Sequence, residues 1–422
     1  MKTTALIIFV LTYVLLLGFS NYRHYVAICS GLLFIALGIL PLDKVTEVID
    51  WNVIMMITGT MGVVNFFIES KMPSFLADNI IERSRNVMWS TVFLSLFAGI
   101  ISAFVDNVAT VLMVAPVAVT IAKKLHISPV PSVICIAISS NLQGAATLVG
   151  DTTSILLSGH AKMNFLDFFF FKGRLSIFWA VELGAVISIL ALIYLFRNEK
   201  RPIKAMKKTR VEDFFPTVVL LGIIILLIAA SFLPNKPANT NGLICMTLFL
   251  ISILRYILKT GNFRVLLWAV KEIDFTTLFL LTGLFVVIGS ITEVGLIEDI
   301  SIAFLNLSGG NLFIIYTILV WVSVIFSGFI DNIPYVATML PVTSYIASHM
   351  GVEPYILYFG LLIGATLGGN LTPVGASANI TGIGILRKEG YEVSTKEFMK
   401  YSVPFTLSAV ISGYLFIWFV WS

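Results

Sequence analysis

Charge is scarce in this chain: Asp, Glu, Lys and Arg make up 12% of its 422 residues, while hydrophobic residues make up 58%. A soluble globular domain carries about a quarter of its residues as charges, so that class is excluded. Cysteine is sparse too. Cys29, Cys135 and Cys245 all sit in apolar runs without a CxxC or Cys/His grouping, which excludes a disulfide framework and a zinc site and leaves them as small buried hydrophobes. No phosphate-binding loop for ATP occurs, and the Asp residues of the apolar runs lack the GxGD context of an intramembrane aspartyl protease. No catalytic residue and no cofactor is therefore expected, and nucleic acid is not an expected partner. Pumping would use an ion gradient unless a separate ATPase subunit is supplied.

What the chain does have is long apolar runs from end to end, the mark of a polytopic all-α membrane protein. The first run, 4–19, follows Lys2 as a signal peptide would. No small-x-small cleavage site comes after it and many more runs do, so it reads as a transmembrane helix. Ten crossings are predicted, at about 4–19, 24–40, 51–69, 129–160, 174–196, 214–233, 241–258, 275–292, 353–386 and 402–421. Two further blocks, 89–122 and 311–347, are too long for one crossing and too short for two, and each carries an Asp-Asn pair near its middle. They read as re-entrant hairpins with legs of about 15 residues, or about 22 Å, against the ~30 Å of a hydrocarbon core.

The basic stretch 197-RNEKRPIKAMKKTR-210 is expected to be cytoplasmic, which puts both termini outside. Alternation then places 21 of the 27 Lys and Arg residues on the cytoplasmic side, Arg23 among them, and the outer loop 293–310 has none. The Phe-rich 165-FLDFFFFKG-173 reads as an amphipathic interfacial arm.

The two halves match in register. Asp106-Asn107 pairs with Asp331-Asn332, Pro116 with Pro341, Pro129 with Pro354, Gly144 with Gly369, Thr147 with Thr372 and Gly150 with Gly375, each 225 residues apart; Ile49-Asp50 and Thr58-Gly59 recur at Ile273-Asp274 and Thr282-Gly283 with a separation of 224. Equivalent spans lie five crossings apart, an odd number, so the halves 1–196 and 214–422 are expected to be inverted repeats joined by the linker 197–213. That is a secondary-transporter architecture, with the site near the midplane.

The stretch 141-NLQGAATLVGDTTS-154 and its partner 366-TLGGNLTPVGASAN-379 interrupt apolar blocks at Gly, Pro and small polar residues. Unwound backbone at that depth is tolerated where it is buried in protein or lines a wet cavity, and it frees N–H and C=O groups for ions. Helix packing by small residues and helix capping explain part of the pattern. They do not explain Asn141, Gln143, Asn370 and Asn379 beside Gly and Pro, nor Asp106, Asp151 and Asp331 at membrane depth, where a charge is normally retained for a partner or an ion. The candidate site is therefore Asp106, Asn107, Thr110, Asn141, Gly144, Thr147, Gly150, Asp151, Thr152 and Ser154 in the first half. The second half supplies Asp331, Asn332, Gly369, Asn370, Thr372, Pro373, Gly375, Ser377 and Asn379, with Na⁺ expected at Asp106, Asp151 and Asp331. Asp151 corresponds to Ala376 and Ser154 to Asn379, so the half-sites differ. Glu182, inside a span, reads equally as a structural hydrogen-bonding group or a proton relay.

The segments 104-FVDNVATVLMVAP-116, 331-DNIPYVATMLP-341 and 364-GATLGGNLTPVGASANITGIGILRKEGYEVSTKEFMKY-401 resemble the ion transporter superfamily, in the group of arsenite permeases, NhaD-type sodium/proton antiporters and pink-eyed dilution P proteins, with a citrate-transporter-like domain. The resemblance implies a dimerising scaffold and an elevator-type transport domain of hairpins and broken helices. The sodium-coupled dicarboxylate branch has Ser-Asn-Thr at its hairpin tips. Here Asp takes the Ser position in both, and two added negative charges repel a di- or tricarboxylate unless cations or protons offset them.

The expected function is secondary active transport of a small ion, an anion or oxyanion first, coupled to Na⁺ or H⁺; a Na⁺/H⁺ antiporter is the alternative. The expected setting is the plasma (inner) membrane, as a homodimer in contact with lipid.

Overall fold

The structure, a computed structural model, describes residues 1–19, 22–202, 209–234 and 236–422. Lys204, Lys207 and Lys208 of the basic linker lie outside the described residues. The first half holds α1 (Lys2–Gly18), α2 (Arg23–Ala36), α3 (Val45–Val48), α4 (Trp51–Glu69), α5 (Met72–Glu82), α6 (Val87–Ser102), α7 (Asn107–Leu125), α8 (Val130–Gly144), α9 (Thr152–Ala161) and α10 (Ile177–Phe196). The second holds α11 (Phe215–Ser231), α12 (Thr240–Thr260), α13 (Arg264–Lys271), α14 (Phe275–Glu293), α15 (Leu296–Ser308), α16 (Leu312–Ser327), α17 (Asn332–Met350), α18 (Tyr355–Leu362), α19 (Ser377–Lys388) and α20 (Thr395–Trp421).

Several helices start where a short polar side chain can take up the first N–H groups, which find no water in an apolar surrounding. Asp50 accepts from Val53 N at 3.0 Å and Asp274 from Thr277 N at 3.1 Å. Asn86 caps α6 and Asn311 caps α16, while Asp106 caps α7 and Asp331 caps α17. These six caps form three pairs separated by 224 or 225 residues.

The helices sort into two groups. In one, α2 packs along α14 and α4 along α12, with α1 and α11 beside them. In the other, α6 and α7 embrace α8, α16 packs on the turn after α18, and α10 lies along α20. The groups meet where α4 touches α9 and α14 touches α17.

Several boundaries differ from the expectation. Among the described residues six helices are long and apolar enough to cross a membrane, or seven if the α15–α16 pair, bent by 117°, is one span. Five of the ten predicted crossings are among the six, the sixth being the hairpin leg α7; of the other five, two are broken into halves and α1, α2 and α11 have only 17, 14 and 17 residues. The hairpins run 87–125 and 312–350 rather than 89–122 and 311–347, and their second legs, α7 and α17, reach 19 residues with Pro116 and Pro341 inside. At 1.5 Å per residue such a leg is about 28 Å long, nearly a full crossing. The stretch 293–310, expected as an outer loop, contains α15, which, like α5 in the first half, is amphipathic and precedes the hairpin. The Phe-rich arm leads into a two-stranded antiparallel ribbon, Phe170–Phe171 with Arg174–Leu175, so among the described residues the fold is all-α apart from that turn and an isolated bridge between Asn86 and Pro202. Arg23 is not a loop cation: it is the first residue of α2 and only partly exposed, paired with Asp331.

Candidate functional site

The break between α8 and α9 covers 145–151, and the break between Leu371, the end of a 3₁₀ turn, and α19 covers 372–376. Each break is stitched to the hairpin turn of its own half. Thr147 Oγ1 donates to Ala103 O, and Thr372 Oγ1 to Gly328 O. Ser154 Oγ donates to Gly144 O at 3.2 Å, and Asn379 Nδ2 to Gly369 O at 3.1 Å. Both donors and acceptors are 225 residues apart. A Cβ on Gly150 would lie 2.7 Å from Gly144 O, 2.8 Å from Ser102 O and 3.0 Å from Ala103 O. At Gly375 the same positions are taken by Gly369 O at 2.6 Å, Ser327 O at 2.7 Å and Gly328 O at 2.8 Å. Only glycine fits where three carbonyl oxygens converge this closely.

The halves join through amides. Asn141 Nδ2 donates to Thr366 O at 2.7 Å and to Asn370 Oδ1 at 3.0 Å, and Asn370 Nδ2 donates to Ile138 O at 2.9 Å. Asn107 Nδ2 donates to Asn141 Oδ1 at 2.9 Å and reaches Asp151 Oδ1 at 3.5 Å. Asn332 Nδ2 donates to Asp151 Oδ2 at 3.2 Å. Asp151, 3% exposed, thus sits between the two hairpin tips, held also by Thr152 N at 2.8 Å and Thr153 Oγ1 at 2.9 Å. Thr153 in turn bonds Thr366 of the other half at 2.9 Å.

Against this junction lies a cavity of about 270 Å³ whose lining includes the carboxylates Asp106, Asp151, Glu272 and Asp274 and, among the described residues, no Lys, Arg or His. Asn107, Asn332, Thr152 and Ser377 complete its floor, and Asn65 of α4 lines its wall. A larger cavity, about 620 Å³, is lined by Glu47, Asp50, His160, Asn239 and Glu293 instead. There Asp50 lies against Gly159, where an added Cβ would come within 2.4 Å of Asp50 Oδ2; the repeat counterpart, Gly384, has nothing within 4 Å.

The second tip is treated differently. Asp331 Oδ2 receives Arg23 Nη1 at 2.8 Å and Ser377 Oγ at 3.1 Å, and its Oδ1 caps Ile333 N at 3.2 Å. Asp331 is buried and Arg23 nearly so, with side chains 5% and 11% exposed. A cation is retained at such a place only with a partner.

The sequence-predicted residues therefore divide. Asp106, Asn107, Asp151, Thr152, Asn332 and Ser377 line one cavity. Asn141, Asn370, Thr147, Thr372, Ser154 and Asn379 hold the junction together behind it, and Gly144, Gly150, Gly369 and Gly375 are its closely packed backbone. Asp331 is turned to Arg23. Thr110 is fully buried and its hydroxyl has no hydrogen-bond partner, while Pro373 lies half-buried in the second break away from the cavity. The three Asp residues do not converge as one ligand set: among the described residues no three His, Cys, Asp or Glu side chains cluster as a metal site. Glu182 borders a separate small cavity with Gln143. Sequence reasoning missed Arg23, Asn65, Glu272, Asp274, Thr153 and Thr366. Asp274 carried a signal, since it pairs with Asp50 in the repeat; Arg23 has no basic counterpart and carried none.

Residues 6–364 match the family model for citrate transporters. The chain is 28% identical over 426 residues to a protein of Mycobacterium bovis named as an uncharacterised transporter, covering 99% of this chain and 98% of that one. It is 28% identical over 428 residues to a 46 kDa membrane protein of Mycobacterium leprae, with the same coverage. It is 26% identical to the human P protein, covering 89% of this chain but 54% of that larger protein. Among solved structures, the Alcanivorax borkumensis YdaH transporter superposes with a TM-score of 0.57 at 14% identity over 89% of this chain and 86% of that one. Neisseria gonorrhoeae MtrF, described as one of a class of antimetabolite efflux pumps, gives 0.55 at 14% identity over 90% and 83%. These two likenesses concern the fold.

Proposed function

The chain belongs to the citrate transporter family, and from that premise we propose that it is a secondary active transporter that binds H⁺ or Na⁺ directly at Asp106 and Asp151 and uses it to drive a small ion across the membrane. The observation that carries this reading is the lining of the smaller cavity: four carboxylates and, among the described residues, no basic side chain. Clustered carboxylates favour protonation or a bound cation over an anion. Na⁺/H⁺ exchange therefore fits the cavity better than an anion moved alone, and an oxyanion or carboxylate fits only if a cation or proton enters with it.

The work is elevator-like: the group of hairpins and broken helices slides against the group containing α2, α4, α12 and α14, and the two cavities alternate as entry and exit. The distribution of Lys and Arg supports a plasma-membrane orientation with 197–210 cytoplasmic, so the carboxylate-lined cavity, bounded by Glu272, opens inward. The exposed apolar faces of α11 and α12, with Val218, Leu221, Ile225, Leu250 and Leu254, support burial against lipid and a second copy.

Proteoliposomes test the reading. An imposed proton gradient is expected to drive ²²Na⁺ uptake with no anion added. Uptake that needs an added oxyanion and ignores the Na⁺ and proton gradients would remove it.

A further inference from the structure

We propose that Arg23 is a built-in cation: its guanidinium fills, at the second hairpin tip, the position that a coupling cation takes at the first, so that the chain keeps a single exchangeable cation site. The inference rests on the cation-coupled reading of the first tip and adds to it a count of sites and the residue that sets the count.

Two half-sites of the same construction carry different charge. At each, a hairpin-turn Asp caps the second leg, a Thr of the break donates to the hairpin turn, and three carbonyl oxygens crowd a glycine of the break. At the first, Asp106 and Asp151 face the cavity, and among the described residues no Lys, Arg or His stands within ion-pair distance of either. Thr110, fully buried one turn below Asp106, has a hydroxyl without a partner. At the second, Ala376 replaces Asp151, Tyr335 replaces Thr110, and the remaining carboxylate, Asp331, is bound by Arg23 at 2.8 Å. The formal charge of the side chains is thus −2 at one half-site and zero at the other.

Arg23 is held for this role from outside the tip. It sits in the first turn of α2, which packs along α14, and its Nε donates to Leu16 O of α1 at 3.3 Å. Tyr13 of α1 donates to Pro334 O, three residues beyond Asp331, at 2.9 Å, so the same helix pair grips the second tip twice. The guanidinium is permanently charged and supplies planar donors to a carboxylate that would otherwise need an ion from solution.

Equilibrium binding of ²²Na⁺ to the purified full chain at pH 8.5 tests this by stoichiometry. Arg23→Gln is expected to raise the number of Na⁺ bound per chain by one over wild type. Arg23→Gln/Asp331→Asn is expected to return to the wild-type number, as is Arg23→Lys. If Arg23→Gln does not fold, Arg23→His purified at pH 6, where the imidazole is charged, gains the extra Na⁺ on transfer to pH 8.5. An unchanged number in every folded variant overturns the proposal and leaves the ion pair as a structural tie. The wild-type number is a separate readout: zero Na⁺ in wild type with one in Arg23→Gln supports the role of Arg23 while removing Na⁺ from the reading of the first site.

Discussion

Asp151, in the break of the first half, accepts a hydrogen bond at 3.2 Å from Asn332, at the hairpin tip of the second. The contact makes one carboxylate answerable to both halves, since Asn107 of the first tip approaches its other oxygen at 3.5 Å. Asp151→Asn keeps the shape and removes the charge. Cation-driven uptake is expected to fall at least tenfold, about 1.4 kcal/mol or more in coupling free energy. Uptake in proteoliposomes, compared with the thermal midpoint of the same preparation, separates this from a folding defect.

The hydroxyls that stitch each break to its hairpin should matter equally in the two halves. Thr147→Val and Thr372→Val each leave a buried carbonyl, of Ala103 or Gly328, without its donor. Each is expected to cost about 1–3 kcal/mol. Thermal unfolding in detergent should give similar shifts for both, and a double variant should be additive, because the two sites share no partner.

Gly159 and Gly384 are repeat counterparts with unlike surroundings. Gly159→Ala drives a methyl into Asp50 and is expected to destabilise by about 1–3 kcal/mol. Gly384→Ala meets open space within α19 and is expected to stabilise by up to about 1 kcal/mol through helix propensity. If alternating access brings Asp274 onto Gly384 as Asp50 now lies on Gly159, the stabler variant turns over more slowly. A raised thermal midpoint with unchanged turnover would argue against that rearrangement.

Asp213 supplies a pH dependence. Burial alone would raise its carboxyl, but hydrogen bonds from Arg255, the Phe215 N–H and Lys259 outweigh that and hold it below the usual carboxylate range. A depressed folded-state pKa means stability that is present above the ordinary value near 4 and lost as pH falls below it. Asp213→Asn is expected to cost about 1.5–3 kcal/mol at neutral pH. The gap in thermal midpoint between variant and wild type should hold from pH 7 to about 5 and close as the solution is acidified past about 4.

Much of the local architecture was legible because membrane depth makes polar residues conspicuous. The Asp-Asn pairs mark the hairpin turns, and the Gly, Thr and Pro positions mark the breaks, because an uncapped or unwound backbone in an apolar medium must name its partners in the sequence. Arg23 was not legible. A lone cation after a short apolar run looks like a loop residue, and only the three-dimensional placement of α2 brings it 308 positions along the chain to Asp331. Asp274 was legible as a repeat mark and silent as a cavity wall, since which tip it faces depends on how the two helix groups sit against each other. The helices α5 and α15 were hidden because amphipathic segments of 11 and 13 residues have neither the length nor the hydropathy of a crossing.

The two breaks are framed by the same bonds, yet position 151 is Asp and its counterpart 376 is Ala. Codons for Asp and Ala differ by a single base. The backbone socket is thus built twice, and the charge inside it is a separate trait that one base change can add or remove while the frame around it stays as it is.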